Sequence, residues 1–391
     1  MVAPPNASIV DDKSFSSKVI IMLRSVLMQF SAAIFALAAC TGKEKVTLSD
    51  FTLHPVENPH LKGLAEHLKD RKTSLTAVIN SGNHQLTNVK DLGYHPVKQA
   101  KAWEAKPDYN DFETKKWVPQ GLSGSADAYD KGTWNDKDAW VVSWHNHNNS
   151  NVRVTFVDKA TFKYRHALLV YPEADDNFKK VPVHAGGVVW YGETLWVVDT
   201  DIGFRVFDLT NIWEVDIGDA VGKSPDGKKY TADGYRYAIP QSRYYKLSPQ
   251  HDFKFSWTSL DRTDSPDTIM AGEWREERGI ARVLKWELDA ETRTLKTNAD
   301  NVATASFGYC VGAVKVQGGV SVDGKVYMAG FSNGAPGDMY EWTPGETPAV
   351  SKKFFPPAPE DMSYNKHGDE LYTLTEIAGK RYILAYDRSK V

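Results

Sequence analysis

The chain has 391 residues, 41% of them hydrophobic and 25% charged, with a formal net charge of −3. That is enough apolar material for a sizeable core, which excludes a disordered polymer, and the near-neutral balance leaves no basic field to draw nucleic acid. Aromatic residues are abundant at 12%, and with 28 Gly and 19 Pro they favour short strands over long helices.

In chain order, Lys18 and Arg24 lead into the apolar run SVLMQFSAAIFALAAC. The run has the length of a signal-peptide core and is too short to span a bilayer, so residues 1–40 read as an export leader, with Met22 or Met28 as alternative starts. Cleavage after the small pair Ala38–Ala39 gives a secreted protein. Read as a bacterial lipobox, LAAC instead gives a surface lipoprotein anchored at Cys40, and in neither case does the mature protein keep a transmembrane segment. There are only 2 cysteines, so with Cys40 in the leader no intrachain disulfide is expected. Cys310, in SFGYCVGA, reads as a small buried apolar residue.

Residues 41–116 are polar and read as a segment that wraps the main domain. NPHLKGLAEHLKDRK is its helical piece, with Leu61, Leu64 and Leu68 along one narrow face. From Trp117 the pattern turns to short strands separated by Gly, Asp, Asn and Pro. HAGGVVWYGETLWVVDTDIGFRVFDLT (184–210) is echoed at 120–158, 252–288, 317–343 and 360–388: a leading residue, a strand, a turn, a second strand, a loop and a third strand. A small antiparallel sheet repeated at this period predicts an all-β fold, a β-propeller over 117–391, because a ring of blades buries faces and edges that one blade leaves open. Five units predict five blades; a sixth would have to lie in 211–250 or 289–311. The rival is a large β-sandwich.

The motifs HAGGVVWYGETLWVVDTDIGFRVFDL and PEDMSYNKHGDELYTLTE resemble those of an uncharacterised family of secreted β-propellers from actinobacteria and fungi. The likeness spans 118–391 and implies fold and export, with no activity attached to it. Kinship with lactonase, glycosidase or cyclase propellers is analogy at the level of the fold.

In a propeller the leading residue of each inner strand and the loop between the second and third strands meet at one mouth of the central channel. The leading residues are Gln120, His184, Asp252, Gln317 and Glu360 with Asp361; the loops add His145, His147, Asp199, Asp201, Glu273, Asn333 and Glu376. Imidazoles, carboxylates and amides gathered in a concave mouth suit a small organic ligand. We expect His184, Glu360, Asp361 and Glu376 to move protons and Gln120, His145, His147, Asp252, Gln317 and Asn333 to bind. Asp199 and Asp201, in VVDTDIG, are candidate ligands of Ca²⁺ or another divalent cation, or form an Asx-type turn. His145 and His147 alternate by two and suit Zn²⁺, or sit in a polar hairpin loop where Asn148-Asn149-Ser150 is a glycosylation acceptor. Trp144, Trp190, Trp196, Trp257, Trp274 and Trp342 pack between blades or stack on a ring-shaped ligand. No phosphate loop, dinucleotide fingerprint, GxSxG or HExxH motif occurs, which disfavours a redox cofactor. Two functions follow: a non-redox hydrolase, lyase, isomerase or cyclase, or a non-catalytic exported binder of a glycan, protein or cell-surface ligand.

Overall fold

The protein is described by a computed structural model over residues 40–248, 252–276, 281–332 and 334–391. Residues 1–39, which hold most of the expected leader, and Asn333 lie outside the described residues.

Five antiparallel sheets form the body. Blade 1 is Trp117–Gly124, Ala139–Asn146, Val152–Asp158 and Lys163–Ala174, and blade 2 is Val188–Tyr191, Thr194–Asp199, Gly203–Asp208 and Tyr237–Leu247. Blade 3 is Trp257–Asp261, Thr268–Gly272, Arg282–Asp289 and Phe307–Cys310; blade 4 is Val316–Val322, Lys325–Gly330, Pro336–Trp342 and Ala349–Pro357. Blade 5 takes Pro359–Asn365, Glu370–Thr375 and Tyr382–Asp387 from the end of the chain and its fourth strand, Gln99–Ala102, from near the beginning. The first strands of the five blades are neighbours in cyclic order, so the ring is closed. This is a five-bladed β-propeller. The stretches that could have hidden a sixth blade supply outer strands instead: 211–250 that of blade 2, 289–311 that of blade 3.

The packing explains why polar alternation is weak. In each blade the inner strands are covered on their two faces by the blades on either side, so Thr194–Asp199 reads almost wholly buried. Five apolar clusters fill the five junctions: Val141, Phe156 and Trp190 between blades 1 and 2; Trp196, Phe204 and Trp286 between 2 and 3; Trp257, Met328 and Trp342 between 3 and 4; Val320, Phe355 and Tyr386 between 4 and 5; Trp140, Trp144 and Leu374 between 5 and 1. The inner strands crowd the axis. A Cβ on Gly121 would meet the Val188 amide nitrogen at 2.5 Å, and one on Gly187 would meet that of Thr258 at 2.5 Å. These glycines let the blades close on a narrow channel.

Residues 40–116 bind the rim. Helix Leu61–His67 buries Leu64 as its spacing predicts, and Leu75–Asn80, a second helix, buries Leu75, Val78 and Ile79. Thr52–Glu57 pairs with the outer strand of blade 2, and His84–Gln85 with that of blade 1. The cysteine expectation is corrected. Glu44–Lys45 adds to blade 3 in register with Tyr309 and Cys310, which brings Cys40 to a Cα–Cα distance of 5.1 Å from Cys310 in a disulfide. Cys40 therefore belongs to the fold, not to the leader. The sequence separation of 270 conceals this neighbourhood.

Candidate functional site

Gln120, Gln317 and Glu360 stand where the repeats put them, at one mouth, and His184 stands two residues before the equivalent place, which Gly186 takes in blade 2. Gln120 and Glu360 are about 1% exposed, while His184 and Gln317 are half-buried. In blade 3 the position belongs to Ser256, not Asp252. Residues 252–256 look like a strand by alternation, but the strand starts at Trp257, and Asp252 sits exposed beside Arg275.

Two chains of hydrogen bonds cross the mouth. Ser256 Oγ donates to Gln317 Oε1 (2.9 Å), and Gln317 Nε2 reaches Glu360 Oε1 (3.5 Å). Gln120 Nε2 donates to Glu376 Oε2 (2.7 Å), and the Arg381 guanidinium donates to the Glu376 backbone carbonyl (2.7 Å). Burial pushes the Glu360 carboxyl well above the usual carboxylate range, and the charges of Glu376 and Asp361 push it further. Burial also raises Glu376, against the opposing pull of Gln120 and Arg381. Two carboxyls so placed resist carrying two charges at once.

His145 and His184 form the second feature. Their ring centroids are 4.4 Å apart. His145 Nδ1 donates to the Asn146 carbonyl (2.7 Å), which leaves the lone pair on Nε2. Burial, with His145 beside it, pushes His184 down to about 4, and burial lowers His145 as well, so both rings are neutral near pH 7. The partner of His145 is thus His184 rather than His147. The strand ends at Asn146, the alternation stops there, and His147 is exposed.

Asp361, expected to be catalytic, is turned the other way. It is fully buried on the axis, where Oδ2 accepts from the amides of Leu122 (3.1 Å) and Val188 (3.1 Å) and Oδ1 from that of Thr258 (3.3 Å). Burial raises its carboxyl against those amides. With both oxygens occupied by backbone from three blades, Asp361 ties the inner strands together and plugs the channel.

A cleft of about 520 Å³ opens above this floor, lined by His184, Lys254, Ser256, Trp274, Arg275 and Gln317 among others. Its cations are already matched: Lys254 by Asp201 (2.6 Å), Arg275 by Glu273 (2.6 Å) and Asp252 (3.4 Å). Of the six tryptophans singled out from sequence, five are buried between blades, and only Trp274, 37% exposed, faces the cleft. Lys254, Ser256 and Arg275 escaped the sequence reading. Ser256 could have been found by setting SWTS of blade 3 against GGVV of blade 2.

The cation expectation for Asp199 and Asp201 fares poorly. Arg205 grips Asp199 with Nε and Nη2, each at 2.7 Å, while Asp201 pairs with Lys254, so the two carboxylates do not share a point. Among the described residues no three His, Cys, Asp or Glu side chains gather into a ligand set.

No family model and no curated protein matches the chain. Among solved structures, it is similar to the β-propeller domain of Cps50 (Swd1) from Myceliophteria thermophila, at 10% identity over 77% of this chain and 99% of that one, with a TM-score of 0.27. An uncharacterised protein of Listeria monocytogenes aligns at 8% identity over 75% and 86%, TM-score 0.26. The Dos1 propeller aligns at 9% over 71% and 96%, TM-score 0.23. At scores this low the fold rests on the strand pairing described above.

Proposed function

We propose that the protein is an exported propeller whose channel mouth binds a small, neutral, hydroxyl-rich organic molecule and moves protons on it without a redox cofactor. One observation carries the reading: His184, Ser256 and Gln317, from blades 2, 3 and 4, line one cleft, the His184 imidazole is neutral, and Gln317 reaches a Glu360 carboxyl that burial biases towards the protonated form. In this reading His184 accepts a proton through a ring nitrogen, and the Glu360–Glu376 pair donates one. Gln120, Gln317 and Ser256 hold the carboxyls and the ligand. Because Lys254 and Arg275 are already paired, the cleft has no spare cation among the described residues to select an anion. Hydrolysis, elimination, isomerisation and cyclisation all remain within reach of these groups, and no step is routed through a metal.

The second reading, a non-catalytic glycan binder, is favoured by Trp274, whose exposed indole suits stacking on a sugar ring. One experiment separates them. Wild type is incubated with a panel of oligosaccharides, sugar lactones and polyols and followed by NMR. Conversion that His184→Ala abolishes, with its melting temperature kept, supports the enzyme. Binding that Trp274→Ala abolishes, with no conversion, supports the binder. Neither binding nor conversion across the panel would remove the site.

Export belongs to the same proposal. It is supported by the apolar leader and by the Cys40–Cys310 pairing, since disulfides persist in oxidising compartments. A sulfur in that bond cannot carry a lipid, which favours a secreted protein over the Cys40-anchored form.

A further inference from the structure

Away from the channel, the outer strands of blades 1 and 2 run parallel from Leu168 opposite Ala238 to Val170 opposite Pro240. Before that register they part. A cavity of about 130 Å³ opens in the breach, lined by His84, Tyr109, Arg165, His166, Tyr235 and Arg236 with two smaller neighbours. One water takes roughly 30 Å³ of liquid, so this is more room than a packing defect leaves.

The charges around it do not balance. Asp111 is held by Arg153 (2.6 Å) and His166 (2.9 Å), Glu104 by His84 (2.7 Å) and Lys106, and Glu214 by Arg236 (2.9 Å from Nε). Arg165 has no such partner. Among the described residues no oxygen accepts from its guanidinium, whose contact is the face of Tyr237 at 5.4 Å. Arg165 is half-buried, and burial works against its charge. Arg236, which also lines the cavity, places Nε and Nη2 on a single oxygen of Glu214 and has a third nitrogen outside that pair. An unmatched guanidinium beside a second one, in a hollow of this size, lacks one negative charge. The planar fork of arginine suits oxyanions.

We propose that the breach between blades 1 and 2 binds a small tetrahedral oxyanion, phosphate or sulfate, either free or as the monoester end of a larger molecule, through Arg165 and Arg236. The site is independent of the channel mouth.

The test is calorimetric titration of the full chain with inorganic phosphate, sulfate and glycerol 2-phosphate at constant ionic strength, with chloride as blank. Wild type should give a saturable signal, and Arg165→Gln should weaken it at least tenfold. Lys131→Gln, which removes an exposed surface charge, should leave it unchanged. If Arg165→Gln misfolds, Arg165→Lys keeps the charge without the fork and should also bind more weakly. Binding of inorganic phosphate but not the monoester assigns a free ion; binding of both assigns a head group. No saturable signal from wild type, or equal binding by the Arg165 variants, overturns the proposal and leaves the cavity to water.

Discussion

Asp361→Ala is the sharpest test of how the ring is held. The substitution removes the acceptor for the Leu122, Val188 and Thr258 amides, all at a fully buried point on the axis. Each buried amide left without a partner costs about 1–3 kcal/mol, so the gross loss is about 3–9 kcal/mol. Removing the carboxyl also relieves its own burial penalty, which places the expected net loss in the lower half, about 3–5 kcal/mol. Native domains are stable by about 5–15 kcal/mol in total, so the variant should be severely weakened yet still measurable. Urea unfolding followed by tryptophan fluorescence gives the difference, and Asp361→Asn, which keeps one oxygen for two of the amides, should fall between wild type and Ala. A loss under about 1 kcal/mol for Asp361→Ala would mean that the blades are held by side-chain packing alone, and the axial role assigned here would be wrong.

Three other outcomes follow from the same contacts. Asp127 is buried, accepts from Ser123 Oγ (2.7 Å), and is pushed up to about 7 by burial, so the native state keeps a proton that the unfolded chain releases above pH 3.8. Its penalty is absent at acid pH and grows to about 4 kcal/mol as pH rises through 7; Asp127→Asn should therefore raise the melting temperature more at pH 8 than at pH 4, and equal shifts would refute this. His184 has the opposite sign: held near 4, it favours the native state above pH 6.5 by up to about 3 kcal/mol, an advantage lost as pH falls to 4. His184→Gln should flatten the acid limb of the stability profile, and an unchanged limb would place the imidazole in water. Cys310→Ser should lower stability by about 2–5 kcal/mol, and an equal loss on adding reductant to wild type would tie the effect to the Cys40 bond; no loss in either would refute it.

The repeats were legible because the first three strands of each blade are joined by short turns whose Gly, Asp and Asn residues mark the spacing. The fourth strands were not. Blade 2 reaches its outer strand only after the excursion 209–236, and that of blade 5 lies almost three hundred residues upstream. Strand burial on both faces also erased the alternation that would have fixed register. Gln120, Gln317 and Glu360 were found because polar residues stand at equivalent positions of the repeat and Glu376 because it follows a second strand, whereas His184 lies two residues before the position that Gly186 holds. Asp361 shows the limit of that argument: one step along the strand reverses the side chain, and Glu360 meets Gln317 at the mouth while Asp361 enters the axis. Asp252 failed because DFKFS imitates a strand without pairing as one. Cys40 and Arg165 depend on neighbours that only the folded ring brings close.

The borrowed strand Gln99–Ala102 has a bearing on how the chain is made. One edge pairs with nearby Thr87–Asn88, but the other has no partner until Tyr382–Asp387 has been synthesised, so it waits uncovered while the four other blades are made. Losing Tyr382–Asp387 would then cost far more than a frayed tail: the clasp would have nothing to grip, and the circle would spring at its seam.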